Sequence, residues 1–415
     1  MLTLHSSQKS NLMKMNPVLR LFLFVLAFVL LSQCKKEVPS VQISDGNFLR
    51  ALIQLGIDKD RDGKISIPES ETVRYINVDY MKITNISGIE SFVNLDTLFC
   101  SENQISNLDV SKNSGLLYLD CSYNPLGAID VSKNIPLKRL RCEGNKLTNL
   151  DISKNINLQA LDCYGNRLAF LDVSNNVSLT HLVCSFNMLN TIDLSKNDKL
   201  IALVCNSNKL PALKLSDKPA LTELICSDNQ FTNLDVTNNI LLKTLECSGN
   251  QLSTIDVSKN TSLEALICDH NQFISLNISN NISLKWLYCD FNQMQSLDLT
   301  SNPELGWLTC AQNQLIDLNV SNNPLLEYLI CSSNQILSLD ISKNPKLNTL
   351  YCDGNRLSKL DISKNVSLTK LYIDDMPSLY KVCVWTLPFP TTSLFVYSGN
   401  SPNVYYSIDC GKKEN

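Results

Sequence analysis

Leu116-Leu117-Tyr118-Leu119-Asp120-Cys121-Ser122-Tyr123-Asn124 belongs to a unit that this chain repeats many times. The full unit reads L-x-x-L-x-C-x-x-N-x-L-x-x-L-D-V-S-x-N-x-x, and it returns every 21 residues. Thirteen cysteines keep this period without an insertion: Cys100, Cys121, Cys142, Cys163, Cys184, Cys205, Cys226, Cys247, Cys268, Cys289, Cys310, Cys331 and Cys352. A fixed period of this length predicts a solenoid in which each coil stacks on the next.

Each unit predicts one short strand followed by two turns. Side chains alternate between faces in a strand, so the Cys and the Leu two residues before it should both point into the core. The residues three and one before the Cys, and the residue one after it, should point outward. The Asn three residues after Cys, present from Asn103 to Asn355, is expected to satisfy backbone groups at a buried turn. The Asp-x-Ser-x-Asn segment, as in 151–155, should bond the local backbone where the chain turns back.

The cysteine ladder raises the question of disulfides. Neighbouring coils place equivalent α-carbons about 4.8 Å apart, which by distance alone permits a bridge. The side chains run parallel, however, whereas a disulfide requires β-carbons about 3.8 Å apart and a near-perpendicular torsion. We therefore predict buried free thiols that pack as small apolar side chains. The chain has no C-x-x-C pair or Cys/His cluster of the kind that binds zinc.

The 21-residue unit with its Cys and the tail L-D-V-S-x-N resembles the bacterial IRREKO class of leucine-rich repeats and the cysteine-ladder repeats of the internalin J type, over about residues 74–380. The resemblance implies a leucine-rich-repeat solenoid with a parallel sheet on the concave face, short strands and turns on the other face, about 13 full coils and a cap at each end. It also implies a secreted or surface-anchored protein that acts in adhesion and contact with host or other cells.

The N-terminus predicts export. Lys14 and Arg20 lie before the apolar run 21–31, which suits a signal peptide and is too short to span a bilayer. The run ends in Leu31-Ser32-Gln33-Cys34, which resembles a bacterial lipobox, although Gln33 stands where a small residue is usual.

We expect residues 1–33 to be removed as a signal peptide, Cys34 to be acylated, and 34–45 to form a linker. This predicts an outer-membrane or cell-surface lipoprotein, in the style of Bacteroidetes repeat lipoproteins, held at the membrane by its lipid alone. The alternative is ordinary signal cleavage with a free thiol at Cys34.

A cap over residues 46–73 contains Asp58-Lys59-Asp60-Arg61-Asp62-Gly63-Lys64-Ile65-Ser66-Ile67-Pro68-Glu69, which matches an EF-hand calcium loop. In this hypothesis Gly63 makes the turn, and the ligands come from Asp58, Asp60, Asp62, the Lys64 carbonyl, Ser66 through a water, and Glu69. The entering helix should cover 48–55. The alternative is a solvated acidic turn, in which the converging carboxylates repel one another. We expect one calcium ion with a structural role.

The rest of the chain divides along the repeat. Residues 74–94 resemble a degenerate first repeat, residues 95–367 hold the thirteen full repeats, and residues 368–415 form a partial repeat and a C-terminal cap. Cys383 and Cys410 lie outside the ladder and form an even pair, so we predict a disulfide between them in an oxidising compartment.

The outward strand positions become aromatic toward the C-terminal end of the ladder. The residues concerned are Trp286, Tyr288, Trp307, Tyr328, Tyr351 and Tyr372. Exposed large aromatic side chains usually mark a partner site, so these six residues are the predicted ligand-binding set. The alternative is cross-strand packing that only stabilises the sheet, or shelter beneath the C-terminal cap.

Composition and motifs limit the remaining functions. A net charge of −4 with 18% charged residues gives no basic face for nucleic acid. Rows of aspartates such as Asp109 and Asp130 recur in nearly every coil, which indicates a structural requirement, whereas an active site needs a unique constellation. No nucleophile motif or phosphate loop is present in the sequence. We therefore predict no catalytic residues. The chain is expected to be a monomeric, non-enzymatic surface protein that binds a protein partner through its concave face. The alternative is a glycan-binding lipoprotein that uses the same aromatic residues.

Overall fold

The computed structural model describes residues 38–390 and 393–410, together with the single positions 16 and 18. The predicted signal peptide and Cys34 lie outside the described residues. The described chain forms a parallel sheet of sixteen strands and a second parallel sheet of three strands.

Every strand is three residues long, and the connections between strands are turns. The strands are β1 Tyr75–Asn77, β2 Thr97–Phe99, β3 Tyr118–Asp120, β4 Arg139–Arg141, β5 Ala160–Asp162, β6 His181–Val183, β7 Ala202–Val204, β8 Glu223–Ile225, β9 Thr244–Glu246, β10 Ala265–Ile267, β11 Trp286–Tyr288, β12 Trp307–Thr309, β13 Tyr328–Ile330, β14 Thr349–Tyr351, β15 Lys359–Asp361, β16 Lys370–Tyr372, β17 Lys381–Cys383, β18 Phe395–Tyr397 and β19 Tyr405–Ser407. The large sheet contains β1 to β14, β16 and β18 in that order, and the small sheet contains β15, β17 and β19.

In the described part of the chain, two short α-helices lie before the first coils. Helix α1, Gly46–Gln54, begins after Asp45, whose side chain accepts hydrogen bonds from the next amides, and it buries Phe48 and Leu52. Helix α2, Ile67–Glu71, begins at Ser66 with a capping box to Glu69. A 3₁₀ helix, Ile89–Ser91, follows. None of the helices in the described ranges has the length and apolar character needed to span a bilayer.

The repeat sets the register of the large sheet. Leu140, Leu161 and Leu182 pair directly across β4, β5 and β6, and all three are buried. The ladder cysteine follows its strand and is fully buried as a free thiol in all thirteen coils. The prediction of buried free thiols is therefore confirmed.

The ladder thiols are chemically quiet. Several donate to the carbonyl of the next coil, as Cys289 Sγ does to the Thr309 oxygen at 3.3 Å. Burial, with the charge of Asp162, raises the pKa of Cys184 to about 12. Such a thiol stays protonated at neutral pH, and the thiolate is the reactive form.

The asparagine after each ladder cysteine joins two coils, as predicted. The Nδ2 group of Asn229 donates to the Cys205 carbonyl of the preceding coil at 3.1 Å and to the Cys226 and Ser227 carbonyls of its own coil at 3.2 and 3.1 Å. Its Oδ1 atom accepts from the Leu210 amide at 3.0 Å. One side chain thus satisfies four backbone groups that are shut off from water.

A second asparagine row closes the opposite turn. In Asn260, Nδ2 donates to the carbonyls of Val236 and Asn239 at 3.0 and 2.9 Å. The Oδ1 atoms of this row have no hydrogen-bond partner. Lys218 occupies this position in one coil, where its side chain is buried and burial lowers its pKa.

The number of coils differs from the thirteen predicted, because the large sheet has sixteen strands. Strand β1 precedes the cysteine ladder, and β16 and β18 extend it without cysteine, since Ile373 takes the cysteine position and is equally buried. Parallel pairing requires only extended backbone and an apolar residue at the inward positions. The sheet therefore continues past the end of the recognisable repeat.

Replacement of Asn229 by alanine should destabilise the solenoid by roughly 2 to 4 kcal/mol, because several buried backbone groups lose a partner, each worth about 1 to 3 kcal/mol. Urea unfolding followed by circular dichroism measures the loss, and hydrogen exchange of the Leu210 amide should accelerate. Asn238→Ala, an exposed position of the same coil, is the control and should change stability by less than about 0.5 kcal/mol. Equal effects of the two substitutions would contradict this role.

Candidate ligand-binding face

The face of the large sheet that points away from the core is the one predicted above to form the concave binding face, and we call it the outer face. It carries the side chains one and three residues before each ladder cysteine and one after it. Leucine and cysteine side chains fill the opposite face and form the core, so the outer face can contact solvent or a partner molecule. Its composition changes along the solenoid. Aromatic residues gather on β11 to β14, β16 and β18, and we call this set the aromatic stripe: Trp286, Tyr288, Trp307, Tyr328, Tyr351, Tyr372, Phe395 and Tyr397.

Strand register brings the rings of the stripe into contact. Trp286, Trp307 and Tyr328 are aligned on successive strands, and the rings of Trp307 and Tyr328 stack with centroids 4.5 Å apart. The rings of Tyr351 and Tyr372 lie 4.1 Å apart. A step of 6.3 Å between Tyr328 and Tyr351 links the two groups.

The stripe continues beyond the six residues predicted. Phe395 and Tyr397 lie on β18, which pairs with β16, and their rings lie 5.8 and 5.7 Å from that of Tyr372. Phe395 falls within the predicted C-terminal cap, residues 368–415, because no cysteine or leucine marks its coil. The alternation Phe395-Val396-Tyr397 was the available signal, since it places two aromatic residues on one face of a strand.

Exposure within the stripe is uneven. Trp286, Phe395 and Tyr397 are 41%, 55% and 48% exposed, whereas Tyr288, Trp307, Tyr328, Tyr351 and Tyr372 are half-buried. Four of these rings, Trp307, Tyr328, Tyr351 and Tyr372, lie against one another, so cross-strand packing accounts for part of their burial. An apolar, ring-lined surface remains open to solvent.

Carboxylates border the stripe on the side where the strands end. Asp290, Asp353 and Asp374 each lie two residues after a tyrosine of the stripe. Asp290 accepts from the Ala311 amide at 2.5 Å, and Asp353 accepts from Ser332 Oγ at 2.6 Å. Burial raises the pKa of Asp290, and burial together with Asp353 and Asp375 raises the pKa of Asp374.

The other end of the outer face carries a compact charge cluster. The Arg141 guanidinium binds Asp120 Oδ2 at 3.1 Å and Glu143 Oε1 at 2.6 Å. Burial, and then the charge of Glu143, raise the pKa of Asp162 on the neighbouring strand to about 7. A shallow cavity of about 240 Å³ opens beside this cluster, and its lining includes Arg139, Arg141, Asp162 and His181.

The predicted calcium loop brings three carboxylates together. Asp58, Asp60 and Glu69 each offer an oxygen within 4.8 Å of the other two. Asp62 instead accepts from the Lys64 amide at 2.8 Å, outside this group. Ser66 Oγ donates to Glu69 Oε2 at 2.8 Å.

The loop turns at a glycine, and its hydrogen bonds favour the charged form of Glu69. Gly63 has a φ of +83°, which glycine adopts without strain. Burial acts to raise the pKa of Glu69, but hydrogen bonds from Ser66 and from the amides of Lys59 and Asp60 lower it overall. All the converging donors are carboxylate oxygens, the type that calcium prefers.

The two cysteines of the C-terminal cap lie close together. Cys383 is buried and Cys410 is half-buried, and both are free thiols in this structure. Their sulfur atoms and a carboxylate oxygen of Asp361 lie within 4.8 Å of one another. Burial and the hydrogen bond with Cys410 raise the pKa of Cys383 to about 12. The disulfide between them stays a prediction.

Solved structures with the same architecture include three informative cases. The functional domain of InlJ from Listeria monocytogenes, which includes a cysteine ladder, is 31% identical over 80% of this chain and 80% of its own, with a TM-score of 0.70. The leucine-rich-repeat protein LIC12759 of Leptospira interrogans is 24% identical over 75% of this chain and 92% of its own, with a TM-score of 0.66. The plant peptide hormone receptor RGFR1, in complex with RGF2, is 19% identical over 72% of this chain and 57% of its own, with a TM-score of 0.62.

No protein-family model matches the chain, and no curated protein matches it in sequence. The stacked coils, the buried leucine and cysteine rows and these structural matches define a leucine-rich-repeat protein. Within that class, the chain belongs to the cysteine-ladder family to which the functional domain of InlJ belongs. The resemblance noted from the repeat unit is thereby confirmed. Leucine-rich-repeat solenoids use their extended sheets as binding surfaces.

Replacement of Asp162 by asparagine should stabilise the fold at alkaline pH. The folded-state pKa lies above the unfolded value of about 4, so the folded chain binds more protons between about pH 4 and 7, and stability falls as pH rises through this window. Asparagine carries no charge and keeps an oxygen for the Tyr164 amide, which Asp162 Oδ1 accepts at 3.2 Å. The melting temperature of the variant should exceed that of the wild type more at about pH 8 than at about pH 4.

The matched control is Asp317→Asn, which removes the same charge at an exposed position. Its difference from the wild type should change little with pH. A difference for Asp162→Asn that is constant across the window would show that Asp162 ionises as an ordinary carboxylate.

Proposed function

We propose that this chain is an exported, non-enzymatic surface protein that binds a protein partner on its outer face, with the aromatic stripe at the centre of the interface. The observation that carries the proposal is a continuous run of large rings on an open sheet whose other face is already filled by leucine and cysteine. Neither core packing nor turn formation accounts for rings at these positions.

The dimensions of the stripe suit a protein ligand. Its six strands, at about 4.8 Å each, extend for about 24 Å, which is comparable to the width of a protein–protein interface. Tryptophan and tyrosine are enriched among residues that dominate binding energy. Rings already fixed against one another, such as Trp307 and Tyr328, lose little side-chain entropy when a partner covers them.

The fold accommodates protein ligands, since RGFR1 was solved in complex with RGF2. Its sheet resembles that of the present chain in architecture alone. Binding rather than catalysis is also favoured by the repeated aspartates, whose carboxylates are occupied by the turns themselves. Asp151 Oδ1, for example, accepts from the Ser153 amide at 2.9 Å.

We place the protein at the cell surface, anchored by a lipid on Cys34. This part of the proposal rests on the signal-like run 21–31 and the lipobox-like 31–34. A glycan ligand is the second candidate, because the exposed ring of Trp286 could stack on a sugar. The two candidates can be separated by treating target cells with protease or with glycosidase and measuring whether this protein still binds to them.

Combined replacement of Trp286 and Trp307 by alanine should lower binding of the labelled protein to cultured host cells by about tenfold or more, as expected for the loss of two aromatic anchors. Protease treatment of the cells should also remove binding, whereas glycosidase treatment should not. Tyr118→Ala, at the opposite end of the outer face, is the control and should bind as the wild type does. Unchanged binding by the tryptophan variant refutes the site, and loss of binding only after glycosidase treatment favours the glycan.

We also propose that the loop 58–69 holds one calcium ion as part of the N-terminal cap. Asp58, Asp60 and Glu69 would supply oxygens to it, and the ion would neutralise carboxylates that otherwise repel one another. Because Glu69 also caps α2 through Ser66, the ion would fix this helix against the first coils. Its role would be to close the apolar end of the solenoid, which requires a cap.

Calorimetry should detect calcium binding with a dissociation constant of about 10⁻³ M or tighter, the range of extracellular calcium modules. Asp60→Asn should weaken binding by about tenfold, because it removes a ligand charge while its amide oxygen can still accept from Asp62. The control, Asp198→Asn, should bind calcium normally. Absence of any heat of binding at millimolar calcium would overturn the proposal.

A further inference from the structure

Three coils of the aromatic half repeat one pair of side chains. Tyr288 and Asp290, Tyr351 and Asp353, and Tyr372 and Asp374 are each separated by a single inward-facing residue. Positions two apart in an extended strand share a face. Each of these coils therefore presents a phenol ring and a carboxylate side by side on the outer face.

Electrostatic interactions accompany this placement in two of the three pairs. After burial, the charges of Tyr328 and Asp290 contribute to the raised pKa of Tyr288. For Tyr351, burial and the hydrogen bond with Tyr372 act first, and Asp353 adds to them. The rings thus form a wall along the stripe, and the carboxylates form its acidic edge. We call Asp290, Asp353 and Asp374 the acidic edge below.

The three carboxylates of the acidic edge form no salt bridge among the residues that the structure describes. The charge of His270 favours ionisation of Asp290, but the histidine ring is paired with Asp269, with Nδ1 2.9 Å from Oδ2. Asp374 also lies near Asp353 and Asp375, whose charges act against its ionisation.

Two lysines lie on or beside these strands, and no salt bridge joins either of them to the acidic edge within the described residues. Lys285 is engaged by Glu264, with Nζ 2.7 Å from Oε2. Lys370 lies on β16, three residues before the position that corresponds to the ladder cysteine.

The opposite end of the same face shows what internal neutralisation looks like. There Arg141 lies between Asp120 and Glu143 and forms a salt bridge with each. The two ends therefore differ. One end pairs two of its carboxylates with a cation of its own, and the other places its carboxylates next to half-buried tyrosine rings.

A ring beside a carboxylate that forms no salt bridge among the described residues has a specific chemical complement. A guanidinium or ammonium group gains from the ring face and from charge-assisted hydrogen bonds to the carboxylate. A neutral partner that covered this edge would bury uncompensated charges at a substantial cost. We propose that the acidic edge and the adjoining tyrosines bind a basic segment of the partner, through its arginine or lysine side chains. This inference rests on the proposed protein-binding function.

The spacing of the pairs defines the segment further. The pairs on β14 and β16 are on neighbouring strands of the sheet, whereas the pair on β11 lies three strands away from β14. Three strand spacings amount to about 14 Å, or about four residues of an extended chain. The segment should therefore carry two basic groups about four residues apart, one at each site.

The test uses a fluorescein-labelled glycine-serine peptide that carries two arginines four positions apart, and its binding is measured by fluorescence anisotropy. A second peptide replaces every arginine with citrulline, which keeps the shape and removes the charge. The test variant combines Asp353→Asn with Asp374→Asn, which keeps an oxygen for Ser332 Oγ. The control combines Asp298→Asn with Asp340→Asn, which removes the same charge from turns that tolerate asparagine at Asn277 and Asn319.

We expect the wild type and the control to bind the arginine peptide with similar affinity, and the test variant to bind about tenfold more weakly or worse, as two charge-assisted contacts are lost. Binding should weaken as salt concentration rises, and the citrulline peptide should bind weakly to all three proteins. Equal affinity of the test and control variants for the arginine peptide would overturn the inference, as would equal binding of the two peptides to the wild type.

The cell-binding measurement separates this inference from the function on which it rests. If Trp286→Ala with Trp307→Ala abolishes cell binding but the acidic-edge variant does not, the interface stands and the basic-segment assignment is wrong. If the acidic-edge variant loses both cell and arginine-peptide binding, both are supported. If the tryptophan variant binds cells normally while the acidic-edge variant still loses the arginine peptide, the interface proposal fails, and so does the inference that rests on it.

Discussion

The side-chain amide of the asparagine three residues after each core cysteine is the interaction on which the solenoid depends. At Asn229 it serves four backbone groups, two of which belong to the preceding coil. A strand of three residues has too few backbone hydrogen bonds of its own to turn the chain sharply inside a dry core. The asparagine supplies them, and since each one reaches back one coil, it also fixes how far apart the coils lie.

That constraint leaves one face of the sheet free. Leucine and cysteine at fixed inward positions fill the core, as at Leu224 and Cys226, which are fully buried. Residues on the outer face do not fill the core, so their identity can vary from coil to coil. At one end Arg141 forms salt bridges with Asp120 and Glu143. At the other end, within the described residues, aromatic rings lie beside carboxylates that form no salt bridge. A regular scaffold thus carries an irregular surface, and the proposed function resides in the irregular part.

Prediction from the sequence succeeded where a local rule decides the outcome. The 21-residue period, the inward leucine and cysteine and the bonding role of asparagine all follow from alternation and from the need to satisfy buried backbone. Prediction fell short where strand pairing continues without the repeat motif, as at Phe395 and Tyr397. It also fell short where a polar side chain has several possible partners: Asp62 accepts a hydrogen bond from the Lys64 amide and lies outside the carboxylate group of the loop. The left-handed residue two positions after each ladder cysteine was also missed. Gly144, Gly165, Gly249 and Gly354 hint at it, but Phe186 and His270 adopt the same positive φ.

The sequence by itself determined the stacking of coils, the burial of the thiols and the set of side chains that face outward, because a period fixes which residues meet in neighbouring coils. Only the tertiary structure decided how many strands join the sheet, which rings touch, and which carboxylates remain without a cation. Those outcomes depend on distances between residues 21 or more positions apart and on competition among polar groups for the same partners. Tyr351 shows this division. Its outward direction follows from alternation along the strand. Its ring lies 4.1 Å from that of Tyr372 because β14 pairs with β16, whereas β15, which lies between them in sequence, joins the small sheet.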